Sequence, residues 1–156
     1  MTARTDKEHV AALFDEYYES LSKIAFCYLK SVCDAQDVAE EVFLKYIEAK
    51  PEFESREHEK AWLIRVTVNK CKNRIKHSKY VAAGEPVYAV SPSPESGEIL
   101  EAVMSLPEKY RAVIHMFYYM DMTAAEIARA LKISETAVTT RLSRARKLLE
   151  PHMKGE

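Results

Sequence analysis

Residues 123–149 read TAAEIARALKISETAVTTRLSRARKLL, two amphipathic stretches with a turn between them too short for anything but a sharp bend. Thr123 followed at the third residue by Glu126 is a capping box, in which each side chain reaches a backbone N–H left unpaired at a helix start. A helix therefore opens there, with Ile127, Ala128 and Leu131 on one face. After Lys132 and Ile133, Ser134 is a second cap and starts another helix. On that helix Val138, Leu142, Ala145 and Leu149 form the buried stripe. Thr136, Thr140, Ser143 and Lys147 take the opposite face, flanked by Thr139 and Arg144, and no acidic residue occurs from Thr136 to Leu149. Hydroxyls, a guanidinium and an amine in that pattern suit DNA phosphates and base edges. A basic helix face is more often simply solvated. The short capped helix just before it favours a helix-turn-helix, whose second helix enters the major groove.

With 156 residues, 47% of them hydrophobic, the chain can bury one ordinary core or two small ones. It has no apolar run near the length of a membrane span, and MTARTDKEHV lacks the apolar stretch of a signal peptide, so a cytoplasmic protein without stable membrane insertion is expected. Cys27, Cys33 and Cys71 contain no C-x-x-C pair, and the five histidines show no ligand spacing, so neither a metal nor another cofactor is expected.

The net charge of −1 looks wrong for a nucleic-acid binder until the charges are placed along the chain. From Asp6 to Glu59 there are 14 acidic and 6 basic side chains, a net of −8, whereas Lys60 to Lys79 holds seven basic residues and no acid. One surface repels DNA and another attracts it. Since phosphate neutralisation supplies most non-specific affinity, a near-neutral total implies weak DNA binding by the chain alone and a partner that holds it on DNA.

Towards the N-terminus, Val10, Leu13, Phe14, Tyr17, Leu21, Ile24, Ala25 and Tyr28 recur at three and four residues, the stripe of a long amphipathic helix. A second helix follows, with Asp34 as its expected N-cap, Val38, Val42, Phe43, Tyr46 and Ile47 inward, and Pro51 at its end. Ser55 can cap a third, with a stripe of Ala61, Ile64, Val68, Cys71 and Ile75. Helical periodicity stops near His77, where prolines and glycines gather, and roughly twenty extended residues could span about 65 Å, so the halves need not touch when functioning. After this linker, Ile99, Leu100, Val103 and Met104 suggest a short helix, and Pro107 opens another with Tyr110, Val113, Ile114, Phe117 and Tyr118 inward. No strand pattern appears. The expected fold is all-α: a domain over residues 1–77, a linker over 78–97 and a helix-turn-helix domain over 98–156.

This order of parts resembles the short, two-domain sigma factors of bacterial RNA polymerase, the extracytoplasmic-function (ECF) group. DVAEEVF (37–43) is similar to the family's polymerase-binding helix, and AWLIRVTVNKCKN (61–73) to its promoter-melting helix. LPEKYRAV (106–113), EIARAL (126–131) and VTTRLSRAR (138–146) are similar to its reader of the upstream promoter element. Five motifs in order, at family spacing, cover nearly the whole chain. The resemblance implies a subunit that joins core polymerase through the clamp helices of the largest subunit and the flap, binds promoter DNA, and is sequestered by an anti-sigma factor.

Residue by residue, the resemblance places polymerase contact at Asp37, Glu40, Glu41, Leu44 and Lys45, with Glu40 standing where the family most often has Gln. The acidic members are also explained by the helix dipole, which favours negative charge in a first turn. Melting of the minus-10 element falls to Trp62, Arg65, Asn69, Lys72, Asn73 and Lys76, an aromatic and amide surface in a positive field that suits flipped-out bases. For Trp62, core packing is the competing explanation. Thr136, Thr139, Thr140, Ser143, Arg144 and Lys147 would read the minus-35 element.

No glycine-rich phosphate loop, paired carboxylates or nucleophile–base motif is present, so no catalytic residue is assigned and the chain is expected not to be an enzyme. A stand-alone helix-turn-helix repressor or activator is the main alternative, and a helical interaction adaptor the third. A repressor should be basic overall and dimeric, an adaptor needs no basic reading face, and this chain is near neutral with two separate basic surfaces.

Overall fold

The computed structural model describes residues 7–78 and 97–153, with side chains at 7–77 and 101–151. The helices are α1 (Lys7–Leu29), α2 (Val32–Ala49), α3 (Arg56–Ser78), α4 (Gly97–Ser105), α5 (Glu108–Ile114), α6 (Ala124–Leu131) and α7 (Glu135–Met153), with a π-helical turn over His115–Tyr119 after α5. No strand occurs among the described residues. The stretch expected to be a linker, and the side chains of Ile99 and Leu100, lie outside them.

Local chemistry explains most boundaries. Ser31, not Asp34, caps α2: its Oγ accepts from the Asp34 backbone N–H at 3.2 Å, which leaves the Asp34 carboxylate in the first turn where the helix dipole stabilises it. Lys50 closes α2 in the left-handed region at φ 46°, just before Pro51. Ser55 accepts from the His58 N–H at 3.1 Å and starts α3 as expected. The capping box is present in full, with Thr123 Oγ accepting from the Glu126 N–H at 3.1 Å and the Glu126 carboxylate accepting from the Thr123 N–H at 2.9 Å. Lys132 ends α6 at φ 60°, a conformation that costs a non-glycine residue on the order of 1 kcal/mol. Ser134 then caps α7 by accepting from the Ala137 N–H at 3.0 Å. The helix-turn-helix is therefore built as the sequence reads.

Helix α1 lies on α2 and α3 to make one helical unit, while α5, α6 and α7 make a second with α4 against α7. Leu21, Ile24, Val38, Val42 and Leu63 fill the first; Met116, Ile127, Val138, Leu142 and Ala145 fill the second. These units are in contact: α1 meets α5, α3 meets α6, and one apolar core runs through both. Arg111 crosses the join. It is 5% exposed and donates to the carbonyls of Cys27 on α1, of Leu106, and of Met104 at 3.3 Å.

Three residues expected inward face solvent. Phe14 stacks on Tyr18 at 4.5 Å but remains exposed, because α2 covers only part of the wide apolar face of α1. Ile47 is 49% exposed, since Ala35, Val38, Ala39, Val42, Phe43 and Tyr46 already complete the buried stripe of α2. Tyr118 is exposed because it lies within the π turn, where the helical phase is shifted.

His115, on the same turn, has its Nε2 buried with no hydrogen bond among the described residues. Burial, assisted by the positive charge of Lys23 on α1, holds its imidazole down to about 4. A group depressed below its unfolded value stabilises the fold fully above the unfolded value, near 6.5, and loses that contribution as pH falls towards the folded one. Urea unfolding of the wild type is expected to show about 2–3 kcal/mol of lost stability from this group between pH 7 and pH 4.5. His115→Leu should remove that component of the slope.

Candidate nucleic-acid interface

On α7, Thr136, Thr139, Ser143, Arg144 and Lys147 are exposed and Thr140 is half-buried, so all six expected readers share the face away from the Val138/Leu142/Ala145/Leu149 stripe. Thr139 Oγ1 donates to the Thr136 carbonyl at 3.0 Å. Its hydroxyl proton is thereby engaged within the helix, and what it offers outward is a methyl group and lone pairs, suited to a thymine methyl or a base amine.

On α3, Asn69, Lys72, Asn73 and Lys76 are exposed and form a continuous polar strip. Arg65 is half-buried, and its Nη2 donates to the Arg129 carbonyl of α6 at 3.0 Å. Trp62 sits edge-on to Tyr46 at 5.6 Å and to Phe53 at 6.0 Å, in an aromatic cluster that braces α2 against α3. Val66, one turn on from Trp62, is buried. The reason is that α3 is covered on two sides, by α1 and α2 on one and by α6 on the other, which leaves a narrower outward strip than the single stripe suggested.

The positive run of α3 is partly neutralised within the fold. Arg74 pairs with Glu41 at 2.7 Å and with Asp34 at 3.7 Å, and Lys70 lies 3.7 Å from Glu41. Lys72 and Lys76 carry the remaining outward charge beside the two amides. Nearer the α3 start, Glu59 is buried and accepts from the Tyr46 hydroxyl at 2.6 Å, with His9 Nε2 at 2.9 Å from the same oxygen. Burial first, and then this bond, push the Tyr46 phenol far above its ordinary range. Cys27 and Cys71 are buried thiols pushed up to about 12 by desolvation, and so are unreactive at neutral pH.

On α2, Asp37, Glu40, Leu44 and Lys45 face outward, whereas Glu41 is engaged by α3. Leu44 is 60% exposed. With Ile47, Phe43 and the α1 residues Val10 and Phe14 it lines a groove of about 720 Å³, rimmed by Lys7, Asp15 and Glu40. The groove is apolar at its floor and charged at its rim. Phe14 and Ile47 were assigned to the core from the sequence. The available signal was width: α2 carries more apolar residues than one buried stripe can hold.

The chain matches the sigma-70 region 2 family over residues 13–80 and the sigma-70 region 4 family over residues 96–149. It belongs to the sigma-70 family as a two-region sigma factor of the ECF type, a class that recognises promoters and initiates transcription. ECF RNA polymerase sigma factor SigW of Bacillus subtilis is 26% identical over 170 residues, covering 96% of this chain and 91% of the relative. ECF RNA polymerase sigma factor SigM of Mycobacterium tuberculosis is 28% identical over 140 residues, covering 86% and 71%. Among solved structures, the sigma factor RpoE in complex with the anti-sigma factor NepR from Bartonella quintana shares the fold with a TM-score of 0.78 at 16% identity, over 94% of this chain and 97% of that one. CnrH in complex with the cytosolic domain of CnrY does so with a TM-score of 0.73 at 22% identity, over 99% and 94%.

Proposed function

We propose that residues 1–77 and 98–156 act as two separable domains that together hold core RNA polymerase on a promoter: the α1–α2 groove docks on the polymerase clamp helices, the α3 strip captures the melted minus-10 strand, and α7 reads the minus-35 element. Polymerase supplies the chemistry and this chain supplies the address, in the cytoplasm where polymerase works. The six α7 residues gathered on one outward face, with no acidic residue between Thr136 and Leu149, are the observation that carries this reading. Among the described residues no helix is long and apolar enough to cross a membrane. That the sigma factor RpoE was solved with the anti-sigma factor NepR supports an anti-sigma factor as a further partner of this chain.

On this reading, the packed form is too small to read both elements at once, since a globule of this length is about 40 Å across. The minus-10 and minus-35 elements lie about 25 base pairs apart, roughly 85 Å at about 3.4 Å per step. Here Arg65 of the α3 strip is bonded to α6, and Arg129 of α6 also lies 3.9 Å from Glu57 of α3. Promoter engagement therefore requires the halves to part. Extended, the residues between Ser78 and Gly97 reach about 60 Å, and the width of each domain supplies the rest.

Gel shifts at about 150 mM salt, where phosphate contacts are strongly attenuated, test this reading. The free chain should bind promoter DNA poorly, and adding core polymerase should produce a tight, promoter-specific complex. Nanomolar binding by the free chain would instead favour a stand-alone repressor.

A further inference from the structure

The π turn over His115–Tyr119 changes what stands beside the reading helix. It brings Tyr118 to the surface against α7, where its hydroxyl accepts from Arg146 Nε at 2.6 Å. The Arg146 guanidinium carbon lies 5.6 Å from the centre of the Tyr118 ring and 5.6 Å from that of Phe117. Those rings meet edge to face at 5.0 Å and 79°. The guanidinium thus lies at the hydroxyl edge of Tyr118 and beside the Phe117 ring, with one donor already engaged.

Arg146 is exposed, and at about 100° per residue it falls on the same flank of α7 as Thr139, two turns earlier. An exposed arginine normally gives up rotamer freedom when it binds an anion. Here the bond to the Tyr118 hydroxyl and the Phe117 ring hold the side chain beforehand. Both Nη groups lie beyond the Tyr118 bond, and the Tyr118 hydroxyl, having accepted one hydrogen bond, keeps its own proton to donate. Arg–phosphate pairing uses such a fixed planar fork.

We propose that Tyr118 and Arg146 form a preorganised phosphate clamp, in which an Arg146 Nη group and the Tyr118 hydroxyl donate together to one backbone phosphate of promoter DNA beside the α7 reading face. Arg146 would bind the phosphate directly, and Tyr118 would both bind it and position Arg146. The clamp rests on α7 being the reading helix.

The test uses holoenzyme assembled from core polymerase and each variant, with affinity measured against salt over a panel of promoters. Arg146→Ala should weaken binding by about tenfold evenly across the panel and lower the log–log salt slope by about one, because one fewer counterion is released. Arg146→Lys should restore the slope but only part of the affinity, since an ammonium has no fork. Tyr118→Phe keeps the ring and removes the hydroxyl. It should weaken binding about threefold with an unchanged melting temperature, and should have a smaller effect in the Arg146→Ala background, where only its own bond to the phosphate remains to be lost. Wild-type binding by Tyr118→Phe, or an unchanged salt slope in Arg146→Ala, overturns the clamp and leaves the pair a brace for the π turn. A shift in preferred promoter sequence in Arg146→Ala overturns it as well, because a base contact is then involved. Thr140→Ala and Arg144→Ala, measured alongside, separate the two failures: if they too leave sequence preference intact, it is the α7 reading that fails.

Discussion

Replacing Arg111 with Met is expected to lower the unfolding free energy by about 3–5 kcal/mol, one of the largest single-residue effects in this chain. The guanidinium is buried and its donors serve three backbone carbonyls, those of Cys27, Met104 and Leu106. Met fills much of the same volume but donates nothing, so three buried acceptors lose their partner, each at about 1–3 kcal/mol before relaxation. For a chain of this size the loss corresponds to a melting temperature lower by roughly 10 °C, readable by circular dichroism. Arg111→Lys should recover part of it, since one ammonium cannot reach all three carbonyls in the geometry of the fork. Because Cys27 belongs to α1 and the other two carbonyls flank α5, the loss should also loosen the join between the halves. Unfolding of Arg111→Met at the wild-type temperature would show that these bonds do not hold the fold.

The second large effect is expected in strand opening. Asn69 and Asn73 stand on the exposed strip of α3 beside Lys72 and Lys76, and the structure gives their amides no role in packing. Asn69→Ala/Asn73→Ala should therefore leave stability unchanged and closed-complex affinity within about twofold. Each lost base-edge bond is worth about 1–3 kcal/mol. Permanganate reactivity of promoter thymines should accordingly drop by about 10- to 100-fold. An undiminished open-complex signal would remove both residues from the melting surface.

Much of this could be read in the sequence because helix phase is a local property. The capping box at Thr123 and the cap at Ser134 fixed where α6 and α7 begin, and from there the outward residues of α7 follow by periodicity alone. What stayed illegible depends on contacts between distant segments. Ser31 and Asp34 are both good caps three residues apart, and only the backbone decides between them. Tyr118 was misplaced because a π turn advances the phase by a residue, which no apolar pattern records. The α1–α2 groove was hidden because Phe14 and Ile47 look like core residues until the width of each buried stripe is known. Glu41 read as a surface acid, yet Arg74, distant in sequence, holds it. The burial of Arg111 and the covering of α3 by α6 arise from packing between the halves, which periodicity does not report.

The reading role of α7 is tested most directly by transcription from a library in which every minus-35 base is varied, using holoenzymes of wild type, Thr140→Ala, Arg144→Ala and Lys147→Ala. Thr140→Ala and Arg144→Ala are expected to change the preferred minus-35 sequence, at about 1–3 kcal/mol for the affected bases. Lys147→Ala should weaken every promoter evenly, as the loss of a phosphate contact does. Unaltered minus-35 preference in both Thr140→Ala and Arg144→Ala would contradict the assignment of α7 as the promoter-reading helix.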